Sequence, residues 1–423
     1  MPRIKRFFSR HPIAIVLFLC LLVLGTWLWV KNGPSSVPVT LLPQKIGVTS
    51  ISFQQLPGWT QDNISEIIPA LENSCAKYKK LAPERPIGNA DWGIKVADWL
   101  PLCQELGLIG RSFSDVARFL EKWLQPVALQ PFQAIPGLFT GYYEPEIQGS
   151  TLPDANHQIP LYRVPDDLII VDLGKFREEW KNQQIIGRIT DQTLQPYYTR
   201  EQIAQGALKG KGQEIIWLQD RIDGFFLEIQ GSGVIRLPDN QQIRVGYAGK
   251  NGHPYRAVGA KFIQDGILTR EQVSLQSIRE WLSRHPEQQQ RFMNFNPSYV
   301  FFNLLPSNIK GAIGAQGVVL TAGRSMAVDP AYIPLGTLIW LDSTWPFVPN
   351  GVGEGGNPIP ERKLQRLMIA QDTGGAIKGP IRGDVFWGTG EAAGNIAGYM
   401  KQNGTYYLII PKTVPIPTEL TVK

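Results

Sequence analysis

Residues 367–388 read LMIAQDTGGAIKGPIRGDVFWG. An apolar run climbs to Asp372, Thr373 and two glycines turn the chain, and Asp384 interrupts a second apolar run. An Asp-Thr-Gly turn after an apolar strand is how an aspartic protease presents half of its dyad. A single-chain protease needs two such turns from two similar lobes, because one carboxyl must hold the proton that the other lacks. Only Asp372 lies in such a turn, Asp384 is followed by Val-Phe, and no second lobe repeats the pattern. A protease would have to be a homodimer built around one turn, which leaves it third among the readings. Taken alone, Asp372 reads as a turn closer that bonds its own backbone. Asp329 in MAVDPAYIPLGT, however, places a third carboxylate at an apolar run. Carboxylates at strand ends beside glycine loops can converge on one cleft, where like charges raise the pKa of one of them.

Outward from this stretch, the texture from about residue 138 is one of short apolar or alternating runs between Gly, Pro and Asp-Asn. These runs include LFTGYYEP, IPLYRV, DLIIVDL, EIIWLQD, GFFLEIQGSG and QIRVGYAG. After a helical interlude at 268–295 come GVVLTAGRSMAVD, GTLIWLD, RLMIAQD, GDVFWG and TYYLIIP, with the helix-like EAAGNIAGYMKQNG near the end. The spacing predicts two β-rich units, one of them a barrel. PNGVGEGGNPIPERK (349–363) reads as a long exposed loop in the second unit. Upstream, residues 62–125 carry helical periodicity, with Ser112 or Ser114 as cap of the last helix, and predict a small helical layer. Cys75 and Cys103 sit in two of these helix-like segments and could be a disulfide or two buried thiols.

The chain has 423 residues, 43% hydrophobic and 18% charged, with 42 Gly and 33 Pro, enough for two domains and a turn-rich core. Its net charge of +6 is concentrated at the start, where Arg3, Lys5, Arg6, Arg10 and Lys31 meet no acid. The remainder is nearly neutral and offers no electrostatic case for nucleic acid. Between His11 and Lys31, PIAIVLFLCLLVLGTWLWV is uncharged and about long enough to span a bilayer. Basic residues in front of it predict export of the chain beyond Lys31. No small-x-small cleavage site stands out, and Leu17-Phe18-Leu19 before Cys20 is a poor lipoprotein signal, which favours a retained anchor over a cleaved signal. NGPSSVPVTLLPQ (32–44) reads as a spacer, with the linker taken to residue 48.

VDPAYIPLGT followed by DTGGAIKGPIRGD resembles the three-aspartate domain of bacterial cell-wall enzymes. GYYEP (141–145), FFLEIQGSG (225–233), GYAGKNGHPYRAVG (246–259) and NPSYVFFN (296–303) resemble the remainder of the membrane-bound lytic transglycosylase A family. The resemblance runs over roughly residues 130–412 in one continuous order. Where the family typically reads Arg, this chain has Asn303. The fold it implies is mainly β: a double-psi β-barrel and a second, barrel-like β domain inserted into it, beside the helical layer and the N-terminal segment. The implied divisions are 1–31 anchor, 49–140 helical layer and first part of the barrel, 141–310 inserted domain, 311–412 three-aspartate part and 413–423 tail.

The implied activity is cleavage of the β-1,4 bond from N-acetylmuramic acid to N-acetylglucosamine in peptidoglycan, leaving a 1,6-anhydro sugar. Ordinary glycosidases use two carboxylates. Attack by the sugar's own C6 hydroxyl makes the second dispensable, so one acid suffices. The family's catalytic aspartate falls on Asp384, as acid and then base. Ile381, Val385, Phe386 and Trp387 would desolvate it, Asp372 would support it, Lys378 would oppose it if near, and Asp329 completes the trio. Tyr142, Tyr143 and Trp387 are expected against sugar faces, although strand aromatics are more often core. Gln230 and Ser232 are expected at sugar hydroxyls. His253 reads as a structural or substrate-contact histidine rather than a metal ligand, and no metal or cofactor is expected. Expected partners are peptidoglycan glycan strands, the membrane through the N-terminal segment, and cell-wall synthesis complexes, with the chain itself a monomer at the extracytoplasmic face. The alternative is a non-catalytic glycan-binding or wall-loosening protein on the same barrel.

Overall fold

Apolar residues recurring every third or fourth position build three helices after strand β1 (Gln44–Ser50). Helix α1 (Ile68–Tyr78) buries Ile68, Leu71, Cys75 and Tyr78, and α2 (Val96–Glu105) buries Val96, Trp99, Leu102 and Cys103. Helix α3 (Phe113–Trp123) starts at Ser112, whose hydroxyl accepts from the Asp115 amide at 3.2 Å, so Ser112 rather than Ser114 is the cap. Cys75 and Cys103 form a disulfide between α1 and α2.

The chain then enters β2 (Leu124–Pro131) and β3 (Gly137–Glu144), and β3 runs straight through the expected boundary at residue 140. An inserted segment comes next: β4 (Glu146–Ser150), β5 (Ile159–Tyr162), β6 (Ile169–Asp172), β7 (Gln184–Thr190), β8 (Thr193–Pro196), α4 (Arg200–Ala204), β9 (Glu214–Leu218), α5 (Arg221–Gln230), β10 (Ser232–Arg236), β11 (Gln242–Lys250), α6 (Val258–Gln264), α7 (Leu275–Arg284), α8 (Gln289–Met293) and β12 (Val300–Leu304). The last part holds β13 (Ser325–Val328), β14 (Leu338–Thr344), β15 (Lys363–Asp372), β16 (Arg382–Thr389), α9 (Glu391–Tyr399), β17 (Lys401–Pro411) and β18 (Glu419–Val422). The computed structural model describes residues 44–131, 137–181, 183–346 and 362–422. The expected anchor (1–31), the linker up to residue 43 and most of the 349–363 loop lie outside them. Among the described residues no helix is long and apolar enough to cross a membrane.

The largest sheet runs β14-β15-β13-β16-β3-β17 and closes on itself where β17 pairs with β14, so six strands form a barrel. Within this ring β13 and β15 are parallel, as are β16 and β3, while the remaining pairs are antiparallel. Strand β3 therefore brings a piece of the first part of the chain into a barrel otherwise made by the last. Strands β2, β1 and β18 extend from β17, so the expected C-terminal tail ends as a sheet strand. Met326, Val328, Leu338, Ile369, Val385 and Leu408, each 0% exposed, belong to one core shared with the helical layer. A buried ion pair ties the two: Arg324 donates to both oxygens of Asp62 at 2.6 and 2.9 Å.

The inserted segment forms a six-stranded sheet ordered β12-β11-β10-β4-β9-β5 and a small three-stranded sheet, β6-β7-β8. Among the described residues no hydrogen-bonded pair closes the six-stranded sheet, but its edge strands β5 and β12 come into contact, so the sheet curls toward a barrel-like form with helices packed on it. The run GFFLEIQ, grouped with the strands in the sequence, is helix α5. Asp220 caps it by accepting from the Ile222 amide at 2.7 Å, and Gly231 ends it at φ 82. Ile222, Phe225, Phe226 and Leu227 fall on its buried side. Short apolar runs carry no periodicity long enough to separate strand from helix.

Candidate functional site

The barrel register decides where the carboxylates meet. On β13, Ala327 pairs with Asp372 of β15 on one side and with Asp384 of β16 on the other. Directly opposed residues share a sheet face, so the two carboxylates stand in one row, two strand spacings or about 10 Å of backbone apart. The next residue in the row is Thr140 of β3.

Asp384 retains 20% of its side-chain exposure, and its Oδ1 accepts from Arg382 Nη1 at 3.0 Å. Arg382 is held by the Thr140 hydroxyl at 2.7 Å and by the Gly383 carbonyl at 2.6 Å. Burial pushes the Asp384 carboxyl above its ordinary value, and the guanidinium offsets only part of that rise. The cation beside this acid is thus Arg382, whereas Lys378 lies 3.8 Å from Asp329. Alternation along β16 places Asp384 and Phe386 on one face, with Val385 and Trp387 on the other.

Asp372 is tied on both oxygens. Its Oδ1 accepts from the Ala315 and Thr373 amides, each at 2.9 Å, and its Oδ2 accepts from the Tyr142 phenol at 2.9 Å. Burial raises its pKa first, the nearby charge of Asp384 adds to the rise, and the three donors act against both. The Tyr142 ring lies 5.3 Å from that of Phe386, which closes the apolar side of the pair. Asp329, 4% exposed, accepts from the Gly379 amide at 2.9 Å and the Ala331 amide at 3.2 Å. It thereby pins the loop that joins Asp372 to Asp384.

The other residues expected at the sugar are placed as follows. Trp387 is 9% exposed, packs against Trp345 at 5.0 Å and directs its Nε1 at Met400 Sδ, so its ring is part of the core rather than a platform. Gln230 Oε1 accepts from the Tyr143 amide at 3.0 Å and so holds strand β3. Ser232 is 7% exposed within β10. The Tyr143 ring lies against Gly394 of α9, where a Cβ would come within 2.7 Å of it. Asn303 is exposed opposite Gly246. His253 approaches the Tyr197 carbonyl through Nε2 at 2.7 Å and so holds its own loop. Among the described residues no group of His, Cys, Asp or Glu could hold a metal ion.

Two residues that matter here were not singled out from sequence. Arg382 lies inside the quoted IRGD stretch, and its spacing of two from Asp384 on a strand is a usable signal. Tyr255, in the quoted GHPYRAVG loop of the inserted segment, has its phenol pushed up by burial and by the charge of Asp384. A Cβ at Gly375 would lie 3.6 Å from Tyr255 Cβ, so this loop faces the barrel loop between the carboxylates. Nothing local in the sequence announces that approach.

The closed barrel thus presents one partly accessible acid beside a second carboxylate fixed by three donors, an arrangement suited to acid–base chemistry. Residues 138–303 match the MltA specific insert domain and residues 324–410 the 3D domain. The membrane-bound lytic murein transglycosylase A of Escherichia coli K12 is 34% identical over 279 residues, which span 66% of this chain and 66% of that protein. The crystal structure of a membrane-bound lytic murein transglycosylase from Agrobacterium tumefaciens is 30% identical, with a TM-score of 0.73 over 87% of this chain and 98% of that one. That of E. coli MltA with bound chitohexaose is 26% identical, with a TM-score of 0.58 over 81% and 90%. The chain belongs to the membrane-bound lytic murein transglycosylase A family, whose named members are enzymes of peptidoglycan.

Proposed function

We infer that this chain cleaves peptidoglycan glycan strands between N-acetylmuramic acid and N-acetylglucosamine, leaving a 1,6-anhydro end, with Asp384 as the single acid and base. The observation that carries this reading is the inequality of the two carboxylates. Asp372 has both oxygens occupied by amide and phenol donors, which leaves it poorly placed to attack a sugar or activate water. Asp384 is accessible, and burial favours its protonated form.

Protonated Asp384 donates to the glycosidic oxygen as the bond from C1 breaks. The C6 hydroxyl of the muramic residue then attacks C1, and its proton passes to the Asp384 carboxylate, which restores the acid. Arg382 supports the carboxylate in the interval, and Asp372 with Tyr142 orients the row. Asp329 acts on the site by fixing the loop between the two other aspartates. Tyr142 and Tyr143 of β3 are the aromatic residues best situated to border a sugar, and Gln230 acts through the backbone of β3. The E. coli relative with bound chitohexaose supports a glycan strand as ligand. The parallel pairs β13/β15 and β16/β3 within a six-stranded closed barrel support a double-psi barrel assembled from 49–140 and 311–412 around the insertion at 141–310. The membrane-bound name of the relatives and the apolar segment before Lys31 support an anchored enzyme of the cell envelope acting outside the cytoplasm.

Mass spectrometry of muropeptides released from purified peptidoglycan tests this. The chain should release fragments one water lighter than hydrolysis products, and Asp384→Asn should release them at least about 100-fold more slowly. Reducing-end products would mean hydrolysis with a second working carboxylate. Binding without release would mean a glycan-binding protein.

A further inference from the structure

A second charged site lies at the opposite end of β15 from the carboxylates. Here a cavity of about 410 Å3 is lined by four cations, Arg324, Arg362, Lys363 and Arg366, and two acids, Asp62 and Glu66. Both acids are engaged by Arg324, Asp62 at 2.6 and 2.9 Å and Glu66 at 2.8 Å. Among the described residues neither Arg362 nor Arg366 forms an ion pair, and the described lining sets four cations against two acids. Burial, and then the neighbouring charge of Arg324, hold Arg366 below the ordinary arginine value, and the charges of Asp62 and Glu66 offset only part of that fall.

The two arginines are also positioned. Their guanidinium carbons stand 5.1 and 5.4 Å from the ring centroid of Trp345, and Trp345 in turn packs on buried Trp387. An aromatic support restricts a guanidinium's rotamers, so less freedom is lost when it closes on an oxyanion. Arg366 precedes Asp372 by six residues of extended strand, which puts this cavity about 20 Å from the catalytic row.

We propose that this cavity is a binding site for a small oxyanion bearing two negative charges, a phosphate or a pair of carboxylates, clamped between Arg362 and Arg366. Nothing in this clamp depends on the chemistry at Asp384. Charge-assisted, bidentate contacts from two arginines supply the affinity, and Arg324, already neutralised by its acids, forms the floor.

Isothermal titration of the full chain in detergent, with sodium phosphate and separately with glutarate at constant ionic strength set by chloride, tests the site. Saturable one-to-one binding of at least one anion is expected, weakened at least about tenfold by Arg366→Gln and lost in the Arg362→Gln/Arg366→Gln variant. Asp384→Asn should bind as the unaltered chain does. Binding of phosphate alone assigns a phosphate ligand, and binding of glutarate assigns a carboxylate one. Arg362 is exposed, so Arg362→Gln alone keeps the test valid if the variants at Arg366 fail to fold. The absence of saturable binding, or binding that survives the loss of both guanidiniums, overturns the proposal.

Discussion

Asp384 sits where burial outweighs Arg382, so its carboxyl is held above the ordinary 3.8 of aspartate. The folded chain therefore keeps a proton that the unfolded chain has lost. Stability from this group is full below the unfolded value and is lost as pH rises through the folded one. Asp384→Asn should accordingly melt at a higher temperature than the unaltered chain at pH 7, with the difference vanishing below about pH 4. Thermal melts at the two pH values check this, and equal melting temperatures at both would refute a desolvated carboxyl. Activity should fall as pH rises through the same raised value, because the acid form is then lost. At Tyr142, removal of the phenol that donates to Asp372 at 2.9 Å takes away one support of that anion. Tyr142→Phe should lower kcat by about tenfold with little change in KM. Asp372 was legible at this scale because Asp before a Gly-rich turn at a strand end has a small set of uses, whereas Asp329 and Asp384 stood out as carboxylates in apolar runs. The donors that make them unequal were not, since Tyr142 and Ala315 are far from Asp372 in the chain.

At the scale of elements, the helices of the N-terminal layer are stapled by one bond. The Cys75–Cys103 disulfide joins α1 to α2 across a sequence separation of 28 residues. Restricting a loop of that size in the unfolded chain contributes about 3–4 kcal/mol. Cys75→Ala/Cys103→Ala should be destabilised by about that amount in denaturant unfolding, and added reductant should have no further effect on it. The helical segments themselves were readable from periodicity, and capping chemistry narrowed the start of α3 to Ser112 or Ser114, between which the Asp115 amide decides. Helix α5 was misread because its apolar run is short and adjoins a true strand at Ser232. Its cap at Asp220 and its stop at Gly231 were local signals present in the sequence, but the strand-like neighbours on both sides outweighed them.

Over the whole molecule, the inserted segment reaches the barrel loop between the two carboxylates, where Tyr255 lies against Gly375. Tyr255 comes from that segment, yet its phenol feels the charge of Asp384. Tyr255→Phe should lower kcat/KM by about tenfold while leaving the melting temperature in place. An unchanged rate would mean that the barrel face works without the insertion. The N-terminal layer is likewise bound to the barrel by Arg324 and Asp62, residues 262 positions apart.

Chemistry carried by neighbours along the chain was determined by the sequence itself: the aspartates that end or interrupt apolar runs, the helical periods, a serine cap at 112 or 114, and the motif order that marks the family. What only the tertiary structure decided is which distant residues share a row, a core or a cavity. Barrel closure sets Ala327 between Asp372 and Asp384, turns Trp387 inward, selects Arg382 over Lys378 as the partner of the acid, and gathers Arg362 and Arg366 on Trp345. Each of these depends on strand register, and a shift of one residue would send every side chain of a strand to the opposite face.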